Sequence, residues 1–506
     1  MAYVYHVRGD LVELRSDPNL IAVRFAGKPP HSLRERTSRA LSDGAFSSRF
    51  EVAGERITIL PVSNLGTDLA TARANQDAAI QKLDADPLVA SVRPVFRIGE
   101  SKAVAPDRII IGFDDPSRRT ELVNKYALQI VRERDEKIVA ETPERGDVFD
   151  IIAAIHEESG VRFVEPDLVV IGRNAGRRRG ANSGLASVTK PERHYAHKLI
   201  KAHGALALQT GSPNISVAIL DDGVDGRHPD LKGALSASFD AWSGDSFQEP
   251  KPWDSHGTAC AGLAVGQGKT DEGVRGVAAG CSLYAIRIAY SESVNDDWQM
   301  TFDRAATGIS WAWKNGADIL SLSWHSGVST DIIEEIEKAL SAGRKGKGCV
   351  VVAAAGNHGG AVNFPANFPG VVCVSASNQF DQIKTRDSAD GETNWASCVG
   401  REVCVSAPGI ANWTSDNIGT DGFVAGDYDS SFSGTSASTP IVAGACALVL
   451  SAKPSLKGAD VVKIIMTTAD KVGSAPYTGE RNDEFGHGRL NVLKAVQAAK
   501  TTRRSS

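Results

Sequence analysis

The sequence predicts an α/β protein whose main part is a parallel sheet covered by helices on both faces, preceded by smaller α+β modules. Three observations carry this. After residue 190, short near-continuous apolar runs alternate with helical patterns. Strands of that kind are buried on both faces, as in parallel sheets. Around residue 172 the composition changes abruptly: the run from Gly172 to Gly184 is rich in Gly, Asn, Ser and Arg and offers almost nothing to bury. It reads as an exposed linker, assigned to 173–190. The region before it carries a weak internal repeat.

The repeat can be followed in order. Ile21–Phe25 is strand-like, Gln76–Leu83 is helix-like and Val89–Pro94 is a closing strand. The second copy has Ile109–Phe113, Val148–Glu157 and Val161–Pro166, and both closing strands contain Val-x-Pro. Two α+β (ferredoxin-like) modules account for this, at 1–100 and 101–172. Chance similarity between two α/β stretches is the alternative. Beyond the linker, 191–499 forms the α/β domain. Ile215–Leu220 is a buried strand ending in Asp-Asp-Gly, and Cys349–Ala355 is another ending in Gly-Asn. Thr439–Ala452 is an apolar helix opened by Pro440. Chemistry in such sheets sits at the carboxyl ends of strands, where Asp221 and Asn357 fall.

The bulk properties narrow the partners. Of 506 residues, 42% are hydrophobic and 23% charged, the balance of an ordinary soluble protein. A net charge of −5 points to no nucleic acid. The apolar runs fall far short of a membrane span, and the amino terminus lacks a basic-then-apolar signal. The expectation is a cytoplasmic protein with no membrane partner, non-classical export being the alternative. The seven cysteines all lie in the second half and form no CxxC pair. An odd number without that spacing argues against a disulfide framework or zinc site and for a reducing compartment, with a Cys398–Cys404 pair as the alternative.

Three segments carry chemistry: Ala218–Leu231 with Asp221, Asp254–Gly262 with His256, and Phe432–Gly444 with Ser436. A serine hydroxyl needs an imidazole to take its proton and a buried carboxylate to orient that imidazole. Each residue sits in a Gly-bearing turn, where backbone and substrate approach closely. Singly, each has a structural explanation: a turn carboxylate, a core histidine, a helix cap. Together, in the order Asp, His, Ser with His-Gly-Thr and Gly-Thr-Ser-x-x-x-Pro, they resemble the subtilisin family (subtilases) over about residues 190 to 497. Gly273–Gly280, Phe364-Pro-Ala, Ser406–Gly409 and Gly486–Asn491 extend the match.

The resemblance implies a doubly wound subtilisin-like fold and a serine endopeptidase, with Ser436 as nucleophile, His256 as general base and Asp221 as its orienting carboxylate. Asn357 matches the family's oxyanion asparagine. It implies protein or peptide substrates, no cofactor for the chemistry, and room for structural calcium. Asp421, Asp427 and Asp429 form an acidic loop, either a calcium site or solvated surface. Ile319–Trp324 resembles the edge strand that pairs with extended substrate. Asp221-Asp222, Ser323-Trp324 and Ser436-Ala437-Ser438 resemble the kexin/furin branch, in which Asp222 would attract a basic side chain. The branch's acidic primary pocket has no match: position 328 is Val, and His-Gly-Gly-Ala-Val-Asn follows Asn357. His325 replaces a common Gly, so Asp222, Ser323, Trp324 and His325 are the candidate substrate-binding residues.

The module at 101–172 resembles a subtilase propeptide. That implies a folding chaperone and inhibitor, and a self-processed zymogen cut in the linker, with Arg177–Arg179 either a processing region or a solvated basic stretch. Other motifs lead nowhere. Gly266–Thr270 lacks the first Gly of a P-loop, and no Gly-x-Ser-x-Gly elbow is present. His156-Glu157-Glu158 lacks a second histidine at metal spacing. Asn214-Ile-Ser and Asn412-Trp-Thr are glycosylation sites only in a secretory setting. The alternative function is a catalytically inactive or partner-gated binding protein on the same fold.

Overall fold

The computed structural model describes residues 3–26, 50–52, 57–62, 67–143, 146–172, 191–294 and 297–502. The linker 173–190, with Arg177–Arg179, lies outside the described residues. The chain divides into two compact units, one formed by 1–173 with 295–303 and 327–332, the other by the remainder.

The first unit opens with a hairpin, β1 (Val4–Val7) and β2 (Asp10–Glu13). Then come β3 (Arg15–Phe25), β4 (Phe50–Val52), β5 (Ile57–Pro61), α1 (Leu69–Asp84), β6 (Val89–Ile98) and β7 (Ser101–Val104). The second half holds β8 (Arg108–Phe113), α2 (Arg119–Lys125), β9 (Gln129–Arg134), β10 (Lys137–Glu141), α3 (Val148–His156), β11 (Val161–Pro166) and β12 (Val169–Gly172). The strands β8 to β11 run in the order β11-β8-β10-β9. Within the other sheet, β3 to β6 run β6-β3-β5-β4. In both, the fourth strand lies beside the first and the third separates it from the second. The repeat seen in Val-x-Pro is therefore a repeat of topology. Period-2 alternation sets the faces: Ile21, Val23 and Phe25 of β3 pack with Ala79 and Leu83 of α1. Ala22 faces the other way, onto Ile59, Val95 and Val169. Asp68 caps α1 by accepting the Thr71 N–H at 2.9 Å.

The boundary expected at residue 100 falls inside the β6–β7 hairpin. Beyond it, β7 and then β12 extend the first module's sheet, so the two modules share strands. A strand from Trp298–Thr301 pairs antiparallel with β12 and completes the sheet. Two helix starts are also held within this unit. Asp167 Oδ1 accepts the Asp303 N–H at 2.9 Å. Glu165 accepts from Ser329 Oγ at 2.6 Å and from the N–H groups of Thr330 and Asp331 at 2.8 and 3.1 Å. Burial pushes Glu165 up to about 8, outweighing these bonds.

The second unit begins with α4 (Tyr195–Leu199) and α5 (Ala202–Leu208), followed by β13 (Ser216–Asp221), β14 (Leu235–Asp240), α6 (His256–Val265) and β15 (Ser282–Arg287). The Trp298–Thr301 strand is β16, and it runs into α7 (Phe302–Lys314). Then come β17 (Ile319–Leu322), α8 (Thr330–Ser341), β18 (Val350–Ala354), β19 (Val372–Ser377), β20 (Val403–Pro408), β21 (Asn412–Ser415) and β22 (Tyr428–Phe432). Helices α9 (Thr435–Ala452), α10 (Gly458–Thr467) and α11 (Val492–Thr501) close the chain. The sheet order is β14-β15-β13-β17-β18-β19-β20, with every pairing parallel. Val217 and Ile219 of β13 face α6 and α9. Leu220 faces the other side, where a Cβ on Gly308 of α7 would touch it at 3.5 Å. Helix α9 is long and apolar enough to cross a membrane by composition, yet 94% of it is buried as the central core helix.

Candidate active site

Asp221 ends β13, so its carboxylate leaves the sheet at the carboxyl edge. Its Oδ1 accepts the Asp222 N–H at 2.9 Å and lies 2.8 Å from His256 Nδ1. Its Oδ2 is buried with no hydrogen-bond partner. His256 is the first residue of α6, and its ring packs edge-on against Phe432 at 5.4 Å. Burial alone would push the imidazole down; the Asp221 carboxylate overrides this and holds it well above its ordinary value. That contact fixes the tautomer, with Nδ1–H toward Asp221 and Nε2 left to take a proton. Gly257 cannot be replaced here, because a Cβ would lie 2.2 Å from the Gly223 carbonyl oxygen.

Ser436 is the second residue of α9, following Gly434 at φ 126°. The start of a long helix leaves its backbone N–H groups unpaired and favours negative charge beside them. Ser436 Oγ donates to the Ser323 carbonyl at 3.1 Å, and Ser323 Oγ donates to the Ser436 carbonyl at 3.0 Å. Asn357 lies just past β18. Its Oδ1 accepts from the Thr435 N–H and Oγ–H, both at 2.9 Å. With its acceptor so occupied, the side chain presents Nδ2 as a donor beside Ser436. The four expected catalytic residues therefore come from the ends of two strands and the starts of two helices.

Of the substrate-binding expectations, the one for Asp222 needs correction. Asp222 is 1% exposed and points away from solvent. Its two oxygens accept the N–H groups of His256 at 3.1 Å and Gly257 at 2.7 Å. Asp222 thus caps the helix that carries His256 and, being buried, is not presented to a basic side chain from solvent. Burial, then the charges of Asp221 and Asp254, push it well above the usual carboxylate range. Strand β17 is not an edge: it pairs with β13 on one side and β18 on the other. Ser323 is tied to Ser436. Trp324 is buried, its indole N–H donating to the Leu220 carbonyl at 3.0 Å. His325 is buried too, and burial, with a smaller push from His358, lowers it to about 4.

Cys260 was not among the residues expected at the site. One helical turn after His256, its Sγ lies 3.9 Å from His256 Nδ1 and 3.6 Å from the Ser436 carbonyl oxygen. The signal was present as the i+4 spacing in His-Gly-Thr-Ala-Cys. Among the described residues, Asp221, His256 and Cys260 are the one trio whose possible ligand atoms all lie within 4.8 Å. In the acidic loop, Asp427 Oδ1 accepts the Gly419 N–H, and Asp429 Oδ1 accepts from Ser431 N–H and Oγ.

The chain matches the model described as the subtilase family over residues 212–488. The chain belongs to the subtilase family. This subtilase is 31% identical to the calcium-dependent protease of Nostoc sp. (strain PCC 7120 / SAG 25.82 / UTEX 2576), over 98% of this chain and 80% of the relative. It is 35% identical to subtilisin DY of Bacillus licheniformis, over 60% of this chain and 98% of that protein. Fervidolysin from Fervidobacterium pennivorans, a keratinolytic enzyme related to subtilisin, shares the fold with a TM-score of 0.61 and 24% identity. That comparison covers 79% of this chain and 62% of fervidolysin. The subtilase is accordingly a serine endopeptidase.

Proposed function

We propose that peptide bonds are cleaved by Ser436, with His256 as general base and then acid, Asp221 as its orienting partner, and Asn357 Nδ2 with the Ser436 N–H as oxyanion donors. The observation that carries this is the 2.8 Å contact between Asp221 Oδ1 and His256 Nδ1. Ser436 Oγ attacks the carbonyl carbon as its proton passes to His256. The carbonyl oxygen takes the negative charge, the proton then goes to the departing amine, and water repeats the sequence on the acyl-enzyme. A fluorophosphonate should label the wild type and not Ser436→Ala; an unlabelled wild type would sink the assignment.

The N-terminal unit is read as a propeptide-like chaperone and inhibitor. Its support is the pairing of β12 with β16 and the capping of the α7 and α8 starts by Asp167 and Glu165. On this reading the wild type cuts itself within 173–190 and Ser436→Ala stays whole. Two relatives, from Nostoc and from Trichormus variabilis, are named for calcium dependence. Carried over to this chain, calcium would act on stability, read as a fall in unfolding temperature on adding EDTA.

A further inference from the structure

The loop between β19 and β20 closes around an ammonium group. The side chains of Lys384 and Asp390 are both 0% exposed, with Lys384 Nζ 3.0 Å from Asp390 Oδ1. Nζ also donates to the carbonyls of Thr385 and Glu392, and to Ser388 Oγ at 3.2 Å. The Trp395 ring covers it, its centroid 5.4 Å away. A buried charge is costly unless it is paired and hydrogen-bonded, so this loop is organised about the charge. Two carbonyls, a hydroxyl and a carboxylate are the oxygen donors that bind a hard metal cation. Here the cation is a side chain.

Two connections run from this loop to the catalytic groups. The first passes through the backbone. The Ser397 N–H donates to the Lys384 carbonyl at 2.8 Å, while its neighbours turn the other way. The Ala396 N–H donates to the Asn357 carbonyl at 3.1 Å, and the Cys398 N–H to the Gly356 carbonyl at 2.8 Å. The second passes through Glu392. Its Oε1 accepts from Ser433 Oγ at 2.8 Å, and its Oε2 accepts from Trp395 Nε1. Ser433 Oγ in turn accepts the Ala411 N–H at 2.8 Å. Ser433 immediately precedes Gly434, three residues before Ser436.

We propose that Lys384 is a positioning residue for proteolysis: its ammonium occupies a built-in cation site that fixes loop 384–398, which braces Asn357 on one side and the Ser433–Ser436 segment on the other. This rests on the roles given above to Asn357 and Ser436. Lys384 touches no substrate; it acts through the groups it holds.

The test is Lys384→Ala in the full chain, assayed with a peptide substrate and titrated with methylammonium chloride. Tetramethylammonium chloride, too large for the cage, is the ionic-strength control. Expected are a kcat at least tenfold lower, a KM within threefold of wild type, and saturable recovery of kcat with methylammonium only. A kcat within twofold of wild type, or a loss that methylammonium leaves untouched, overturns the proposal. Should Lys384→Ala fail to fold, Lys384→Met with Asp390→Asn removes both charges together. Its expected kcat is again at least tenfold low, and a wild-type kcat overturns the proposal. Fluorophosphonate labelling separates the two claims. An unlabelled wild type refutes the catalytic assignment, whereas equal labelling rates for wild type and Lys384→Ala refute the role of Lys384.

Discussion

Asn357 offers the sharpest test of the catalytic geometry. Its Oδ1 is held by two donors of Thr435 at 2.9 Å each, so Nδ2 is the part of the side chain left to meet a developing oxyanion. Removing one such donor costs about 3–4 kcal/mol of transition-state stabilisation, or roughly 10²–10³ in kcat. Asn357→Ala also strands the Thr435 N–H, adding a stability loss of about 1 kcal/mol. Asn357→Asp keeps the acceptor and replaces only the donor. Both variants should therefore lose kcat by roughly two to three orders of magnitude. Both should keep KM within about threefold, because a donor used only in the transition state contributes little to substrate binding. Only the Ala variant should lose stability. Steady-state hydrolysis of a chromogenic peptide and urea unfolding separate these terms. An Asn357→Asp enzyme with kcat within tenfold of wild type, or one altered only in KM, would refute the assignment.

Three further outcomes follow from described contacts. Asp222→Asn can accept only one of the two helix N–H groups and should cost about 1–2 kcal/mol of stability with a fall in kcat. Its peptide-library profile should match the wild type, whereas losing a preference for Lys or Arg in the variant would reinstate Asp222 as a specificity residue. Glu165 has a folded pKa of about 8, above its ordinary 4.5. Its stabilising contribution is complete below pH 4.5 and declines as pH rises toward 8, because over that range the unfolded carboxyl ionises while the buried one stays protonated. Unfolding of the Ser436→Ala full chain should show that slope, and Glu165→Gln should flatten it; an unchanged slope excludes Glu165 as its source. A mercurial should inactivate the enzyme through Cys260, whose sulfur lies 3.9 Å from His256 Nδ1. Equal sensitivity in Cys260→Ala would place the modification elsewhere.

The segments that carry Asp221, His256 and Ser436 were readable because a side chain presented at a strand end or helix start needs Gly-rich turns around it, and those turns leave motifs. The parallel sheet was readable because strands buried on both faces must be apolar throughout. The repeated topology showed through Val92-Arg93-Pro94 and Val164-Glu165-Pro166, which lie on the last strand of each four-strand set, within β6 and at the end of β11. Asp222 was misjudged because a second aspartate after a strand looks the same whether it faces a substrate or a helix start; only the chain's path from residue 222 to 256 decides. Strand β17 was misjudged as an edge because a likeness in residues to a substrate-pairing strand does not say which strands flank it. Lys384 gave no signal: a lysine among Thr, Arg, Asp and Ser normally stays in water, and the closure of the loop cannot be inferred from its letters. The module boundary at residue 100 failed because shared sheets bury strands from both sides of any line drawn in sequence.

The sheet that β16 completes bears on the order of events after biosynthesis. Its strands on either side of the linker are joined by backbone hydrogen bonds, which a cut between residues 173 and 190 leaves intact. A nicked molecule would then run as two bands on a denaturing gel and as one particle by gel filtration. On the propeptide reading proposed above, cleavage and departure would be separate steps with separate rates. The onset of activity would follow how fast the N-terminal fragment is destroyed or diluted away, so a culture could hold a fully cut and still silent enzyme.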